Sequence, residues 1–275
     1  VRNNKPSLED VLELSGIEVL HPGGFALSKR IGDIVNLKDK DVLDVSCGRG
    51  VFACYYAKKF GARVTGVDIS PEMIESAITK ARREGVGGLT EFKVADSLEL
   101  PFPENSFDVV INECAVGLTS DPQKCLSEMV RVTKPGGYIV IHESVWLKEL
   151  PEDEKRDIAE RLGTVPFTLS EWRNMLSVAG ADDIWDEDWS GIDKMAQIRP
   201  GRQIRSISDL FSVWEKVTVV LPRVIKRFGL RGLLYLQTSQ RKITPLYLSG
   251  AIGYCLIRGK KQTSGRGAGG NQGGR

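Results

Sequence analysis

Residues Val42 to Ala53 constrain the fold more than any other stretch of the chain. Val42-Leu43-Asp44-Val45 has strand character, Ser46-Cys47-Gly48-Arg49-Gly50 is a small-residue turn, and a helical pattern resumes at Val51. Glycine permits the tight turn and lets backbone come close to a ligand, because no Cβ intervenes. The helix that follows offers unpaired N–H groups to a carboxylate or phosphate. From this turn onward the chain alternates. The patterns predict strands over 42–46, 63–68, 90–95, 107–113 and 137–143, with helices over 50–60, 71–85 and 122–133. Ser70-Pro71 and Asp121-Pro122 open two of the helices as cap-plus-proline pairs. Such alternation predicts an α/β chain with a mostly parallel sheet covered on both faces. Ligands in these sheets sit beyond the carboxyl ends of the strands. Asp44, Asp68, Asp96, Asn112 to Cys114, and His142-Glu143 should therefore meet on one rim.

Gly48-Arg49-Gly50-Val51-Phe52-Ala53 fits the G-x-G-x-x-A dinucleotide pattern, so a nicotinamide enzyme is one reading. Two acids favour another. Asp44 lies on the strand just before the turn, where it would repel a pyrophosphate and serve an ammonium. Asp68 ends the next apolar run and can accept both hydrogen bonds of a ribose diol. A cationic ligand carrying a ribose fits both, and S-adenosylmethionine is such a ligand.

The order of segments resembles a class I S-adenosylmethionine-dependent methyltransferase of the small-molecule type. The matching pieces are Val42 to Gly50, Val64 to Ser70, Ala95 to Phe102, Ser106 to Val110 and Arg131 to Gly137, spanning roughly residues 24–145. The resemblance implies a Rossmann-like, doubly wound, mostly parallel seven-stranded sheet with a helical insertion before the last strand. It implies that Gly48 and Gly50 bring backbone to the methionine end and that Asp44 lies near the amino group. Asp68 would take the ribose hydroxyls, Ile69 would pack on adenine, and Asp96 with Ser97 would receive the adenine amino group. Ser46 and Asn112 join this cofactor set. Ser46 departs from the glycine usual in similar proteins, which implies either a slightly displaced turn or a hydroxyl offered to the ligand. Met73 reads as core.

The acceptor side rests on Glu113 and Cys114 at the end of strand four and on His142 at the end of strand five. Strand alternation points Glu113 and Cys114 in opposite directions, so one of the two should line the pocket. His142 could remove an acceptor proton near neutral pH, and His21 is the lesser candidate. An inward Cys114 would suit arsenite or a small thiol. Matched arsenite enzymes carry a cysteine before the turn, however, and here no cysteine precedes Cys47. A cofactor-binding protein without catalysis is the further alternative.

Composition narrows the partners. The five cysteines form no C-x-x-C pair and the chain has two histidines, so no metal site is expected. Scattered thiols, the lack of an 18-residue apolar run and the polar Val1-to-Pro6 start suggest a cytoplasmic protein. Net charge is +2, but the residues after Lys194 hold 15 Lys/Arg against 2 Asp/Glu. The rest of the chain is correspondingly acidic. Four regions follow: an N-terminal helical cap over 1–40, a cofactor-binding core over 41–190, a helical insertion with the last strand over 191–261, and a disordered Gly-rich tail over 262–275. In similar enzymes the N-terminal piece folds over the cofactor. The insertion resembles the acceptor cap of prenol-, sterol- and quinone-type methyltransferases. Its interleaved apolar and basic residues suit a lipophilic acceptor or a peripheral membrane surface. The methyl acceptor is expected to be a small molecule, and nucleic acid is not an expected partner.

Overall fold

The computed structural model describes residues 5–18, 21–191, 193–194 and 207–263. The Gly-rich tail from 264 onward and part of the insertion lie outside the described residues. Two helices come first, α1 (Leu8–Ser15) and α2 (Gly24–Val35). Then follow β1 (Asp41–Val45), α3 (Val51–Phe60), β2 (Arg63–Asp68), α4 (Pro71–Glu84), β3 (Thr90–Val94) and β4 (Phe107–Glu113). The second half holds α5 (Pro122–Val132), β5 (Thr133–Trp146), α6 (Glu152–Leu162), β6 (Phe167–Thr168), α7 (Leu169–Val178) and β7 (Ala181–Asp188). A helical turn Val213–Glu215 runs through a π-helical segment, Lys216–Val220, into α8 (Leu221–Leu248), and β8 (Ile252–Lys261) closes the sheet.

The strand order is β3-β2-β1-β4-β5-β8-β7, with the two-residue β6 added beside β5. Strands β1 to β5 run parallel, whereas β8 is antiparallel to both β5 and β7. The expected seven strands are therefore present with one short addition. Each helix start has a local cause. Ser70 Oγ accepts from Met73 N and Pro71 opens α4, while Asp121 accepts from Lys124 N and Pro122 opens α5. Ser7 with Asp10 and Thr168 with Glu171 form reciprocal capping boxes at α1 and α7.

Alternation along the central strands sorts side chains to the two faces. Leu43, Val45 and Val110 pack with Leu126, Met129, Trp172 and Leu176 of α5 and α7. Val42, Val109 and Ile111 pack with Leu27, Ile31, Ala53 and Tyr56 of α2 and α3. Asp44 and Glu113 share the parity of this second set, so both acids are delivered to the α2/α3 side.

A third cluster joins regions that the sequence separates. Val11, Leu12 and Ile17 from the N-terminal segment pack with Ile158 and Leu162 of α6, with Val224 and Ile243 of α8, and with Trp146. Polar ties reinforce it: Arg161 donates to Ser239 at 3.0 Å, and Lys242 pairs with Asp157 at 2.8 Å. The first helix and α8 thus meet on α6, whereas α2, also expected in the N-terminal cap, packs on the sheet.

Candidate active site

The ends of β1, β2, β3 and β4, together with α1 and the segment after it, enclose a cleft of about 600 Å³. Its floor begins at Asp44, which is 4% exposed. The Asp44 Oδ2 is buried without a hydrogen-bond partner. Burial, then the charges of Glu113 and Asp68, push its carboxyl well above the usual carboxylate range. A buried acceptor left unpaired costs about 1–3 kcal/mol, and more when charged.

The turn beside it has two different glycines. A Cβ on Gly48 (φ +52) would meet nothing within 4 Å, so its backbone borders open space in the cleft. A Cβ on Gly50 (φ +70) would lie 2.7 Å from Ala77 Cβ and 3.0 Å from the Phe92 ring. Gly50, expected at the ligand, instead serves the packing of α3 and α4 on the sheet. Ser46 lines the cleft at φ +60, so a residue with a side chain holds the conformation that glycine usually takes.

Asp68 ties the turn to β2: its Oδ2 accepts from Gly48 N and its Oδ1 from Ser70 N, both at 2.9 Å. Each oxygen keeps a further lone pair for a diol. Ile69 is exposed at the lip, and Asp96 and Ser97 face the cleft from the end of β3.

Asn112 is corrected by the structure. Its side chain is fully buried, donates to Val45 O at 3.0 Å and accepts from Ala115 N and Val116 N. With both ends engaged it clamps β4 to the following turn and is not a wall of the cleft. Glu143 supports the same turn from β5 by accepting from Val116 N at 2.7 Å. Burial pushes the Glu143 carboxyl up to about 8.

Glu113 and Cys114 both line the cleft, contrary to the alternation argument. The reason is local: Cys114 takes φ +61, which ends the strand and turns the thiol inward. Burial raises this thiol well above its ordinary range. Its Sγ lies 3.2 Å from His142 Nδ1. Burial and the nearby His21 lower His142 well below the usual imidazole range. The pair is neutral, and the thiol donates because imidazole nitrogen is much the better acceptor. The proton of His142 is then on Nε2, which is buried and unpartnered. His142 is not among the lining residues and stacks on Tyr254, with 5.3 Å between centroids. The expected role of His142 as base to an acceptor in the cleft is corrected: its acceptor nitrogen is used by Cys114.

The histidine that does reach the cleft is His21. Its Nδ1–H donates to Pro22 O at 3.0 Å, and a carbonyl can only accept. The remaining nitrogen, Nε2, lies 3.0 Å from Glu113 Oε2, in ion-pair contact though not in line for a well-formed hydrogen bond. Because Nδ1 is already protonated, His21 Nε2 and Glu113 must share a proton or repel. Glu113 also accepts from Tyr56 Oη at 2.8 Å and from Ser28 Oγ at 3.1 Å. Sequence reasoning gave His21 a minor place and passed over Ser28 and Tyr56. Their signal is only tertiary, since Ser28 of α2 and Tyr56 of α3 meet at Glu113 of β4.

Carboxylates dominate the walls. Glu9, Glu13 and Glu18 add to Asp44, Asp68, Asp96 and Glu113, against Arg49 alone among the lining Lys and Arg residues. With acids far outnumbering the single lining base, the donor set disfavours a pyrophosphate and fits an ammonium or sulfonium. Among the described residues no group of three or more His, Cys, Asp or Glu could hold a metal ion.

The parallel-dominated sheet with helices on both faces and a cleft at its carboxyl rim is a Rossmann-like α/β fold. Residues 43–141 match the family described as a methyltransferase domain. The chain is 29% identical over 170 residues to norajmaline N-methyltransferase of Rauvolfia serpentina, covering 58% of each chain. It is 36% identical over 172 residues to a probable chloroplastic tocopherol O-methyltransferase of Oryza sativa subsp. japonica, covering 58% of this chain and 47% of that one. The chain thus spans about half the length of these relatives. Among solved structures, the [4+2]-cyclase SpnF superposes with a TM-score of 0.73 at 21% identity, over 94% of this chain and 98% of that one. Phosphoethanolamine N-methyltransferase 2 of Haemonchus contortus, in complex with S-adenosyl-L-methionine, gives 0.68 at 21% identity, over 93% and 57%. Both share the fold.

Proposed function

We propose that the cleft binds S-adenosylmethionine and that the protein transfers its methyl group to a small, lipophilic acceptor seated under the cap. The observation that carries this reading is the buried, unpartnered Asp44 Oδ2 beside the open backbone of Gly48. Asp44 would hold the ammonium, Asp68 the ribose hydroxyls, Ile69 one face of adenine, and Asp96 with Ser97 the adenine amino group. The cofactor supplies an activated methyl group, so the protein's work is alignment and exclusion of water. Acidic walls favour the sulfonium over the neutral product, which would help the product leave. Relatives named for N- and O-methylation support a small-molecule acceptor.

In this reading the His21–Glu113 pair takes the proton that an acceptor amine or hydroxyl gives up. Nδ1 is fixed by Pro22, and Ser28 with Tyr56 holds Glu113, so Nε2 is the free position for a proton. Cys114 speaks less for arsenite or thiol chemistry, because its buried thiol stays protonated and donates to His142.

Calorimetry with S-adenosylhomocysteine and with NADH tests the cofactor. Heat for the first and none for the second is expected, and the reverse would overturn the proposal. Incubation with labelled S-adenosylmethionine and cell extract, followed by separation into lipid, aqueous and macromolecular fractions, then identifies the acceptor class. Label in the lipid fraction is expected.

A further inference from the structure

The cap presents a surface that the cofactor chemistry does not use. Trp214 is 75% exposed and Val217 is 56% exposed, with Val213 and Ile225 open beside them. Beyond the break at Gly229 (φ 70, ψ −175), Leu230 and Leu234 are 68% and 63% exposed. The buried positions of that second segment are Gly232, Ser239 and Ile243, so Leu230 and Leu234 lie on the opposite side. Large apolar side chains gathered on one element need a reason, whereas scattered ones do not.

Charge indicates what covers them. The sequence of α8 contains six Lys/Arg and no Asp or Glu. Some of these cations have work inside the molecule: Arg223 donates to Leu14 O, Arg227 approaches Asp10 and Glu13, and Lys242 pairs with Asp157. Lys226, next to Ile225, and Arg231, next to Leu230, make no ion pair among the described residues and are exposed. Exposed tryptophan and aliphatic side chains interleaved with unpaired cations form the surface that lies in the headgroup boundary of an anionic bilayer. The helix does not cross it, since no helix of the described residues is long and apolar enough to span a membrane.

We infer that the outer face of the cap, from Val213 through Leu234, docks on an anionic lipid surface, with Trp214, Val217 and Ile225 inserted and Lys226 and Arg231 at the headgroups. The same α8 packs on α1, whose Glu9 and Glu13 line the cleft, so docking brings the cleft's cap to the bilayer. A lipophilic acceptor could then pass from lipid to cleft. The docking itself requires no particular acceptor or cofactor.

The test is cosedimentation of the full chain with vesicles of phosphatidylcholine alone and with about 30% phosphatidylserine added. Binding to the mixed vesicles, weaker on pure phosphatidylcholine and falling with salt, is expected. Lys226→Glu with Arg231→Glu should weaken it by at least about 25-fold, from roughly fivefold for each cation lost. Trp214→Glu with Ile225→Glu should abolish it. All four positions are on the surface, so heat of S-adenosylhomocysteine binding should be unchanged in both variants and serves as the check on folding. No binding to the mixed vesicles, or binding that survives both double variants, overturns the inference. So does a dimer that the apolar variant dissociates while vesicle binding remains.

Discussion

Asp44 bears opposite consequences for stability and for binding. Its carboxyl is raised by burial, so the folded chain binds more protons than the unfolded chain between the ordinary carboxylate range and the raised value. Stability therefore falls as pH rises through that window. Asp44→Asn removes the titration and keeps the shape. The variant should be more stable than the parent near neutral pH by about 1–3 kcal/mol in urea unfolding, and its stability should decline less from pH 4 to 7. It should also lose most of its affinity for S-adenosylhomocysteine in calorimetry. A variant that is destabilised, or that binds unchanged, would show that the unpaired oxygen is not a cation site. His21 carries the complementary prediction. With Nδ1 bound to Pro22 O and Nε2 at Glu113, His21→Asn should lower kcat by about 10²–10⁴-fold for an acceptor that must lose a proton, with cofactor affinity retained. Equal losses in kcat and in cofactor binding would instead make His21 a strut for Glu113.

At the scale of elements, the turn between β1 and α3 separates two kinds of glycine that look alike in sequence. Gly48→Ala adds a methyl to open cleft, so its cost should be the left-handed strain of about 1–2 kcal/mol, with a large loss of cofactor affinity. Gly50→Ala carries the same strain and drives a methyl against Ala77 and Phe92, so it should be the more destabilising variant by urea unfolding. The turn itself was legible because strand, small residues and helix follow one another within twelve residues. The core strands were legible for the same reason: apolar runs between caps and prolines mark β1, β2, β4 and the helices after them. The ligand roles of side chains were less so. Asn112 and His142 sit where the rim should be, yet one is consumed by backbone groups and the other by Cys114. Which polar group a strand end satisfies is decided by the element packed against it, and spacing does not encode that. Cys114 makes the same point, since a single left-handed residue overrides the alternation of a whole strand.

Across the whole molecule the acidic core and the basic end divide labour along a physical boundary. The acids line the cleft, and Lys226 and Arg231, without an ion pair among the described residues, are exposed on the cap. Sequence order hides how the cap is assembled, because α1 precedes the sheet and α8 follows nearly all of it. They share an apolar cluster with α6 that also takes in Trp146 of β5 and Ile252 of β8. Leu12 is the place to test this, since it is buried in that cluster and far along the chain from α8. Leu12→Ala should cost about 2–5 kcal/mol of cap packing. If the cap is a unit, hydrogen exchange should quicken together in α1, α6 and α8 while the amides of β1 and β4 keep the protection of the parent. Exchange confined to α1 would mean that α1 docks on a cap that stands without it. Uniform acceleration across β1 and β4 would mean that cap and sheet unfold as one. Local opening of the cap would move Glu9 and Glu13, which line the cleft, while the turn held by the Gly48 N–H to Asp68 hydrogen bond stays folded.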